Sequence, residues 1–312
     1  MKNNNIFGDD YYEKLAQEGG GKPEAWWMEF VYIIMTFSIA TLGIYLILGV
    51  VNIFLYAYNF IAFGKSSFDV TLTENGSHII NLFSKASIII VTIIKCRKFE
   101  FRSFASMGIV KKGAVKSYIL GLLIGTILFS AAVLICIITN AATYDGEGKY
   151  NIVLLFLFFT GYMVQGFSEE ILCRGYFMVT LAKTKGMAFG IIVNSLLFSL
   201  LHIMNNDVSV LALINLFLFG IAASLCFIKH KNIWVIAAIH SIWNFIQGNF
   251  YGISVSGGEV STSVLKVGFN DNKSLINGGA FGAEGGLAVT VVLVVYIIMM
   301  ILTYKPVKKI EG

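Results

Sequence analysis

The sequence predicts an all-α protein: a polytopic membrane helix bundle with about eight transmembrane helices and both termini in the cytoplasm. Of its 312 residues, 57% are hydrophobic and 13% are charged, whereas a soluble domain is typically about 45–50% apolar and about 25% charged. Apolar runs recur along the chain with short polar loops between them, and about 20 apolar residues cross the hydrocarbon core. Basic residues concentrate in alternate loops, which gives the predicted bundle a direction.

Eight segments are apolar enough to be spans. They cover residues 30–56, 78–94, 114–138, 152–181, 187–204, 208–228, 233–250 and 287–303. We therefore expect a transmembrane domain over residues 30–304, a cytoplasmic N-terminal segment over 1–29 and a cytoplasmic tail over 305–312. The glycine-rich stretch 252–286 is expected to be a long outward loop, part of which returns into the protein.

The distribution of lysine and arginine predicts the orientation of the spans. Basic residues follow the second, fourth, sixth and eighth spans: Lys95, Arg97, Lys98, Arg102, Lys111, Lys112 and Lys116; Lys183 and Lys185; Lys229 and Lys231; Lys305, Lys308 and Lys309. The third loop instead has Asp145, Glu147 and Lys149, and the fifth has Asp207. Because cytoplasmic loops collect Lys and Arg, the basic loops and both termini are predicted on the cytoplasmic side.

Two other classes of protein fit the sequence poorly. The net charge is +5, but the basic residues are scattered among loops and form no continuous face, so no nucleic-acid partner is expected. Four cysteines, Cys96, Cys136, Cys173 and Cys226, include no pair in an outward loop, so we expect no structural disulfide. The expected partners are the lipid bilayer and a ligand of the polar sites described next.

Three polar clusters interrupt the predicted spans. They are Glu169-Glu170-x-x-x-Arg174, Phe198-x-x-x-His202 and His240-x-x-x-Asn244. An ionisable group at the centre of a bilayer helix costs roughly 2.5–3.5 kcal/mol. The first cluster alone therefore costs on the order of 8–10 kcal/mol before pairing, which indicates a buried functional site.

Helical spacing suggests a role for each group in the first cluster. Glu170 and Arg174 are four residues apart, so they lie on one helix face and are expected to pair. Glu169 points about 100° away from Glu170 and has no predicted partner within its helix, so it is the chemically available carboxylate. The alternative is that all three groups form a packing network between helices.

The other two clusters are expected to meet Glu169. If the fourth and fifth spans form a hairpin that turns near residue 185, Glu169 and His202 both lie about 24 Å from the turn at ~1.5 Å per residue. His240 and Asn244 share one face of the seventh span and offer N–H donors. The alternatives are a hydrogen-bonded packing histidine at position 202 and a His240–Asn244 clamp between helices.

These groups are the parts needed to hydrolyse an amide. A carboxylate and an imidazole can hold and deprotonate water, and a separate donor pair can stabilise the oxyanion. A divalent metal such as zinc, with Glu169, His202 and His240 as ligands, is a second way to activate the same water. Glu-Glu-x-x-x-Arg is not the His-Glu-x-x-His helix of zinc proteases, so the cofactor stays open: a metal or none.

The ordered motifs resemble those of the CPBP family, the CAAX protease and bacteriocin-processing (Abi) family of intramembrane proteases. The motif-bearing core covers residues 152–249, and the tract 278–286 resembles a glycine-rich stretch late in some members. The resemblance implies a membrane endopeptidase of metallo- or glutamate type that acts on membrane-associated peptides or proteins. It implies that Glu169 and His202 activate water, that His240 and Asn244 stabilise the oxyanion, and that Glu170 and Arg174 organise the site.

Two functions from other classes compete with this prediction. Intramembrane Glu and His residues also build proton relays in transporters, although the broken helices and pseudo-symmetric halves common there are not evident. A non-catalytic scaffold or bacteriocin immunity protein would use the clusters only to hold helices together. The many Lys, Asn and Ile residues fit a bacterium with an AT-rich genome, which favours a bacterial plasma membrane as the location. Lys85, inside the second span, is expected to snorkel outward or to contact a substrate carboxylate.

Overall fold

The computed structural model describes residues 6–17, 27–64, 73–258 and 260–305. Its helices, in chain order, are α1 (Tyr11–Gln17), α2 (Met28–Phe63), α3 (Glu74–Ser84), α4 (Ala86–Ile94), α5 (Ala114–Ile138), α6 (Ile152–Glu170), α7 (Val179–Lys185), α8 (Met187–Leu200), α9 (Val210–His230), α10 (Trp234–Phe245), α11 (Ser274–Asn277) and α12 (Leu287–Leu302). The strands β1 (Ala142–Glu147) and β2 (Leu265–Phe269) pair antiparallel. Three π-helical segments continue α4, α6 and α10: Lys95–Phe99, Ile171–Met178 and Ile246–Phe250.

The predicted all-α polytopic class is confirmed. Within the described ranges, five helical stretches are long and apolar enough to cross a membrane: Met28–Tyr58, Glu74–Phe99, Ala114–Ile138, Ile152–Lys185 and Val210–His230. The apolar helices Met187–Leu200 and Leu287–Leu302 are shorter. The predicted cytoplasmic tail from residue 306 onward, with Lys308 and Lys309, and residues 1–5 and 18–26 of the predicted N-terminal segment lie outside the described residues.

The second predicted span is broken at Lys85. The Ser84 hydroxyl donates to the Asn81 carbonyl at 2.7 Å, the group that the Lys85 amide would take in an unbroken α-helix. The Lys85 amide bonds to the Leu82 carbonyl instead. A side chain that competes for a backbone acceptor loosens a helix in this way, and the break separates α3 from α4.

The fifth predicted span ends earlier than expected. Its helix stops at Leu200, so His202 lies in the turn that follows. There the Ser199 hydroxyl donates to the Leu213 carbonyl of α9 at 2.7 Å. The turn that carries His202 is therefore fastened to the beginning of the next helix.

Helix α10 forms the centre of the bundle. Every residue from Val235 to Asn244 is buried, and the close approach of α5 depends on two glycines one helical turn apart. A Cβ on Gly121 would lie 2.2 Å from the Val235 carbonyl oxygen, and one on Gly125 would lie 2.4 Å from Ile242. Small residues permit this spacing between membrane helices.

The segment after Glu170 widens into a π-helix, which leaves carbonyls that need other donors. The guanidinium of Arg102, fully buried, donates to the carbonyls of Gly175 at 2.6 Å and Tyr176 at 3.3 Å. Single π-turns inside α-helices are frequent at functional sites. The buried loop that carries Arg102 thus supports the stretch directly after the paired glutamates.

The loops gather at two ends of the bundle. At the basic end, which comprises residues 95–113, 183–186 and 229–233, the Ile233 amide donates to the Gly108 carbonyl at 2.9 Å and the Trp234 indole to the Val110 carbonyl at 2.7 Å. At the sheet end, which comprises residues 139–151, 201–209, 251–258 and 260–286, the Asn277 side-chain Nδ2 donates to the Ala141 carbonyl at 2.7 Å. The predicted loop 252–286 therefore carries β2 and α11 and folds back onto the bundle.

The α5–α10 contact predicts a stability difference between two glycine substitutions. Gly121→Ala should lower the thermal unfolding midpoint by the equivalent of about 1–3 kcal/mol because it overpacks the interface. Gly49→Ala in α2 is the matched control, since a Cβ there meets nothing within 4 Å, and it should be neutral or stabilising by up to about 1 kcal/mol. Thermal denaturation of both variants in one detergent measures the difference, and equal midpoints would contradict the packing described here.

Candidate active site

One cavity of about 480 Å³ brings together the four residues predicted to be catalytic. Glu169 from α6, His202 from the turn after α8, and His240 and Asn244 from α10 all line it. Three separate stretches of the chain thus contribute polar groups to one space. The sequence-predicted assembly of these side chains is present in the structure, whereas their chemical roles stay a proposal.

Glu169 has a free face toward the cavity and a partner within its helix. Its side chain is 19% exposed, and its Oε2 lies 3.7 Å from His240 Nε2. Its Oε1 accepts a hydrogen bond from Gln165 Nε2 at 3.0 Å. The expectation of no partner within the helix was therefore wrong: Gln165 lies one turn earlier on the same face, at a spacing that the sequence displays.

His202 is held in one tautomer by a backbone carbonyl. Its Nδ1 lies 2.8 Å from the Phe198 carbonyl oxygen, and since a carbonyl only accepts, Nδ1 is the donor. The neutral ring then has its lone pair on Nε2, the nitrogen that can accept a proton. The Phe198 ring packs on the imidazole with centroids 4.9 Å apart.

Glu170 holds two partners at the base of the cavity. Its Oε1 accepts from Arg174 Nη1 at 3.0 Å and from His240 Nδ1 at 2.8 Å, and Arg174 Nη2 donates to the Gly220 carbonyl at 3.2 Å. The predicted Glu170–Arg174 pair is thus formed, with both side chains fully buried. The contact with His240 was not predicted. It fixes the ring so that Nε2 faces Glu169.

Gln165 also connects Glu169 to the donor pair on α10. Its Oε1 accepts from Asn244 Nδ2 at 3.3 Å, while its Nε2 donates to Glu169. The amide therefore sets the positions of both the carboxylate and the asparagine. Gln165 was not among the predicted site residues, although a glutamine inside an apolar run was the available signal.

Two further charged residues line the cavity. Glu284 reaches it from the segment 252–286, is 8% exposed, and accepts bonds at Oε2 from both the amide and the hydroxyl of Ser256 at 2.8 Å. Its backbone carbonyl accepts from Asn215 Nδ2 at 2.8 Å. Lys85 lines the same cavity from the break between α3 and α4, and both expectations for its side chain, outward snorkelling and contact with a substrate carboxylate, stay predictions.

The donor set was tested for a metal site. Among the residues that the structure describes, no group of three or more His, Cys, Asp and Glu side chains is placed so that it could hold a metal ion. His240 and His202 each use Nδ1 for a bond within the protein, which leaves Nε2 as the free nitrogen of both rings. As they are placed, Glu169, His202 and His240 do not form a ligand set, so no step proposed below passes through a metal.

Residues 151–246 match the family model described as type II CAAX prenyl endopeptidase Rce1-like. The matched segment begins one residue before α6, ends one residue after α10 and contains all three polar motifs. No curated protein matches the chain.

The two adjacent glutamates should differ in their effect on stability. Glu170→Gln removes the charge that pairs with buried Arg174, and breaking a buried pair from one side costs about 3–5 kcal/mol. Glu169→Gln is the matched control, because Glu169 faces the cavity and its Gln165 contact survives as an amide–amide bond. Thermal unfolding midpoints in detergent measure both, and a larger loss for Glu169→Gln would contradict this division of roles.

Proposed function

We infer that this chain, whose motif core matches the CAAX endopeptidase model and confirms its resemblance to the CPBP family, is an intramembrane endopeptidase. The family match supports an endopeptidase of the CAAX type, and the helices make the protein integral and multi-pass in the membrane. The observation that carries the proposal is the convergence of Glu169, His202, His240 and Asn244 on one cavity. Its substrates would be membrane-associated peptides or proteins, in a bacterial plasma membrane.

The first step is activation of water between Glu169 and His202. The Glu169 carboxylate has one oxygen tied to Gln165 and the other facing His240 and the cavity. His202 offers a lone pair at Nε2 because its Nδ1–H is donated to Phe198. A water held by these two acceptors loses its proton to one of them as its oxygen attacks the substrate carbonyl.

The second step is stabilisation of the oxyanion that forms on that carbonyl. Asn244 Nδ2 donates a long hydrogen bond of 3.3 Å to Gln165 Oε1, so it can turn to a stronger acceptor. His240 already donates Nδ1–H to Glu170, and it donates through Nε2 as an imidazolium, with a carboxylate at each nitrogen. Donors aimed at the developing charge stabilise it more than they stabilise the substrate.

The third step returns the proton to the leaving amine. The group that took the proton from water, Glu169 or His202, is the acid that donates to the nitrogen as the C–N bond breaks. One water is consumed, one amide bond is cleaved, and the side chains regain their starting states. Glu170 and Arg174 take part only by fixing His240.

Replacing the water-activating groups should abolish cleavage without unfolding the protein. Glu169→Gln and His202→Ala should each lower kcat by about 10²–10⁴-fold, the range for a lost general acid–base group. Cleavage of a fluorogenic membrane peptide in proteoliposomes measures the rate. Glu147→Gln, an exposed carboxylate on β1, and His230→Ala at the end of α9 are the matched controls and should keep wild-type rates.

Two outcomes of that experiment would contradict the proposal. Undiminished cleavage in both variants would remove Glu169 and His202 from the chemistry. A wild-type cellular phenotype from a stably folded Glu169→Gln protein would instead favour a non-catalytic scaffold or immunity protein.

Removing the oxyanion donor should give a separate kinetic signature. Asn244→Ala should lower kcat by about 10²–10³-fold and change KM little, because the donor acts mainly on the transition state. Asn244→Asp, which is isosteric but places a charge beside the oxyanion, should be at least as impaired. A variant that raises KM alone would indicate that Asn244 binds substrate in its ground state.

Metal analysis tests whether the reaction depends on side chains alone. Purified active protein should contain less than one equivalent of metal per chain, and it should still cleave peptide after incubation with a chelator. The reason is that the described donors do not form a ligand set. Loss of activity that zinc restores would overturn this and would favour Glu169, His202 and His240 as ligands. The same metal analysis on Glu169→Gln and His202→Ala would then show whether those side chains hold the ion.

A further inference from the structure

We propose that the cavity takes its substrate from the extracytoplasmic side of the membrane, through a mouth at the sheet end of the bundle. The word substrate rests on the function proposed above, but the side from which the cavity is reached does not depend on catalysis. Three observations carry the proposal: the charge polarity of the two ends, the lining of the cavity, and the packing beneath the catalytic groups.

The basic end combines the loops that the sequence places in the cytoplasm. The loop before α5 meets the start of α10 through the Gly108–Ile233 backbone bond at 2.9 Å, and the Asn232 side chain reaches Ser117 at 3.3 Å. Asp9 from the N-terminal segment binds both Lys231 and Tyr304. All the loops that the positive-inside rule assigns to the cytoplasm therefore lie at one end of the bundle, and the sheet end faces the extracytoplasmic side.

The cavity reaches the sheet end. Its lining includes residues of the two sheet-end loops: Met204, Asn205 and Asn206 after α8, and Val255, Ser256, Gly257 and Gly258 after α10. Met204 is 90% exposed, so this part of the lining lies at the surface. Among the described lining residues, none belongs to the basic-end loops 95–113, 183–186 or 229–233.

The protein is closed between the catalytic groups and the basic end. All residues from Ile171 to Ala182 are buried, and the loop around Arg102 packs beneath them. On the other side of this layer, the Phe167 and Trp234 rings stack with centroids 5.3 Å apart and planes 10° from parallel. A water-filled path from the cytoplasm would have to break these contacts.

The mouth has the chemistry of a polypeptide-binding surface. Its polar side chains, Asn205, Asn206 and Ser256, are uncharged donors and acceptors, which suit a peptide backbone. Its apolar members Leu201 and Met204 are exposed, and they suit a segment anchored in the outer leaflet. The substrate class that fits is a translocated or membrane-anchored polypeptide, rather than a peptide that stays in the cytoplasm.

Cysteine accessibility tests the side directly and does not require catalysis. The four native cysteines are buried, so the wild-type protein gives the background. Asn206→Cys should react with a membrane-impermeant maleimide on intact cells, whereas Lys185→Cys at the basic end should react only after permeabilisation. The reverse pattern would overturn the proposal, and so would labelling of both positions only after permeabilisation.

A second experiment asks whether the labelled side is also the side of substrate entry. Proteoliposomes of the Lys185→Cys variant, whose substitution lies outside the cavity lining, are divided by whether that cysteine is labelled from outside, and a hydrophilic-tailed peptide is added outside. Cleavage should be at least tenfold faster where the cysteine is protected inside the vesicle. Faster cleavage where the cysteine faces outward would overturn the proposal, whereas loss of cleavage in both orientations would count against the peptidase function and leave the labelling result to decide the side.

Discussion

The hydrogen-bonded chain from Arg174 through Glu170 to His240 is the interaction on which the rest of the site depends. Three ionisable groups lie at the centre of an apolar bundle, and each alone would be expensive there. Their mutual bonds at 3.0 and 2.8 Å offset that cost and tie α6 to α10. A Cβ on Gly166 would lie 2.5 Å from the Ser241 hydroxyl oxygen, so the two helices can approach closely enough for these bonds only because residue 166 has no side chain.

That chain also explains how two adjacent glutamates acquire different environments. Glu170 points into protein, where both of its partners are buried donors. Glu169, one residue earlier on the helix, points toward the cavity, where it accepts a bond from Gln165 and lies 3.7 Å from a His240 nitrogen. The same residue type therefore serves as a fixed anchor at one position and as an accessible carboxylate at the next.

The two ends of the bundle differ in their packing and in their relation to the cavity. At the basic end, Arg102 packs beneath the π-helical segment after Glu170, and none of the described residues of loops 95–113, 183–186 and 229–233 lines the cavity. The sheet end is richer in glycine. Its segment after α10 folds back onto the bundle, so that Glu284 and Ser256, which are hydrogen-bonded to each other, line the cavity.

The sequence alone determined the helical class and the pairing of Glu170 with Arg174. Both follow from short-range patterns, because residues four apart on a helix share a face and apolar runs of about 20 residues are typical of membrane spans. The three polar motifs also identified four of the polar residues that line the cavity, Glu169, His202, His240 and Asn244, but not Gln165 or Glu284. The break at Lys85 also had a local cause, the Ser84 hydroxyl, but the sequence shows no preference between that bond and an unbroken helix.

Only the tertiary structure decided the contacts between distant parts of the chain. The bond from Glu170 to His240 spans 70 residues, and Glu284 enters the cavity through a glycine-rich segment that has no helical or strand periodicity. The end from which the cavity is lined likewise depends on how the loops fold back. Such contacts are set by the packing of whole helices, and side-chain spacing along the chain carries no information about them.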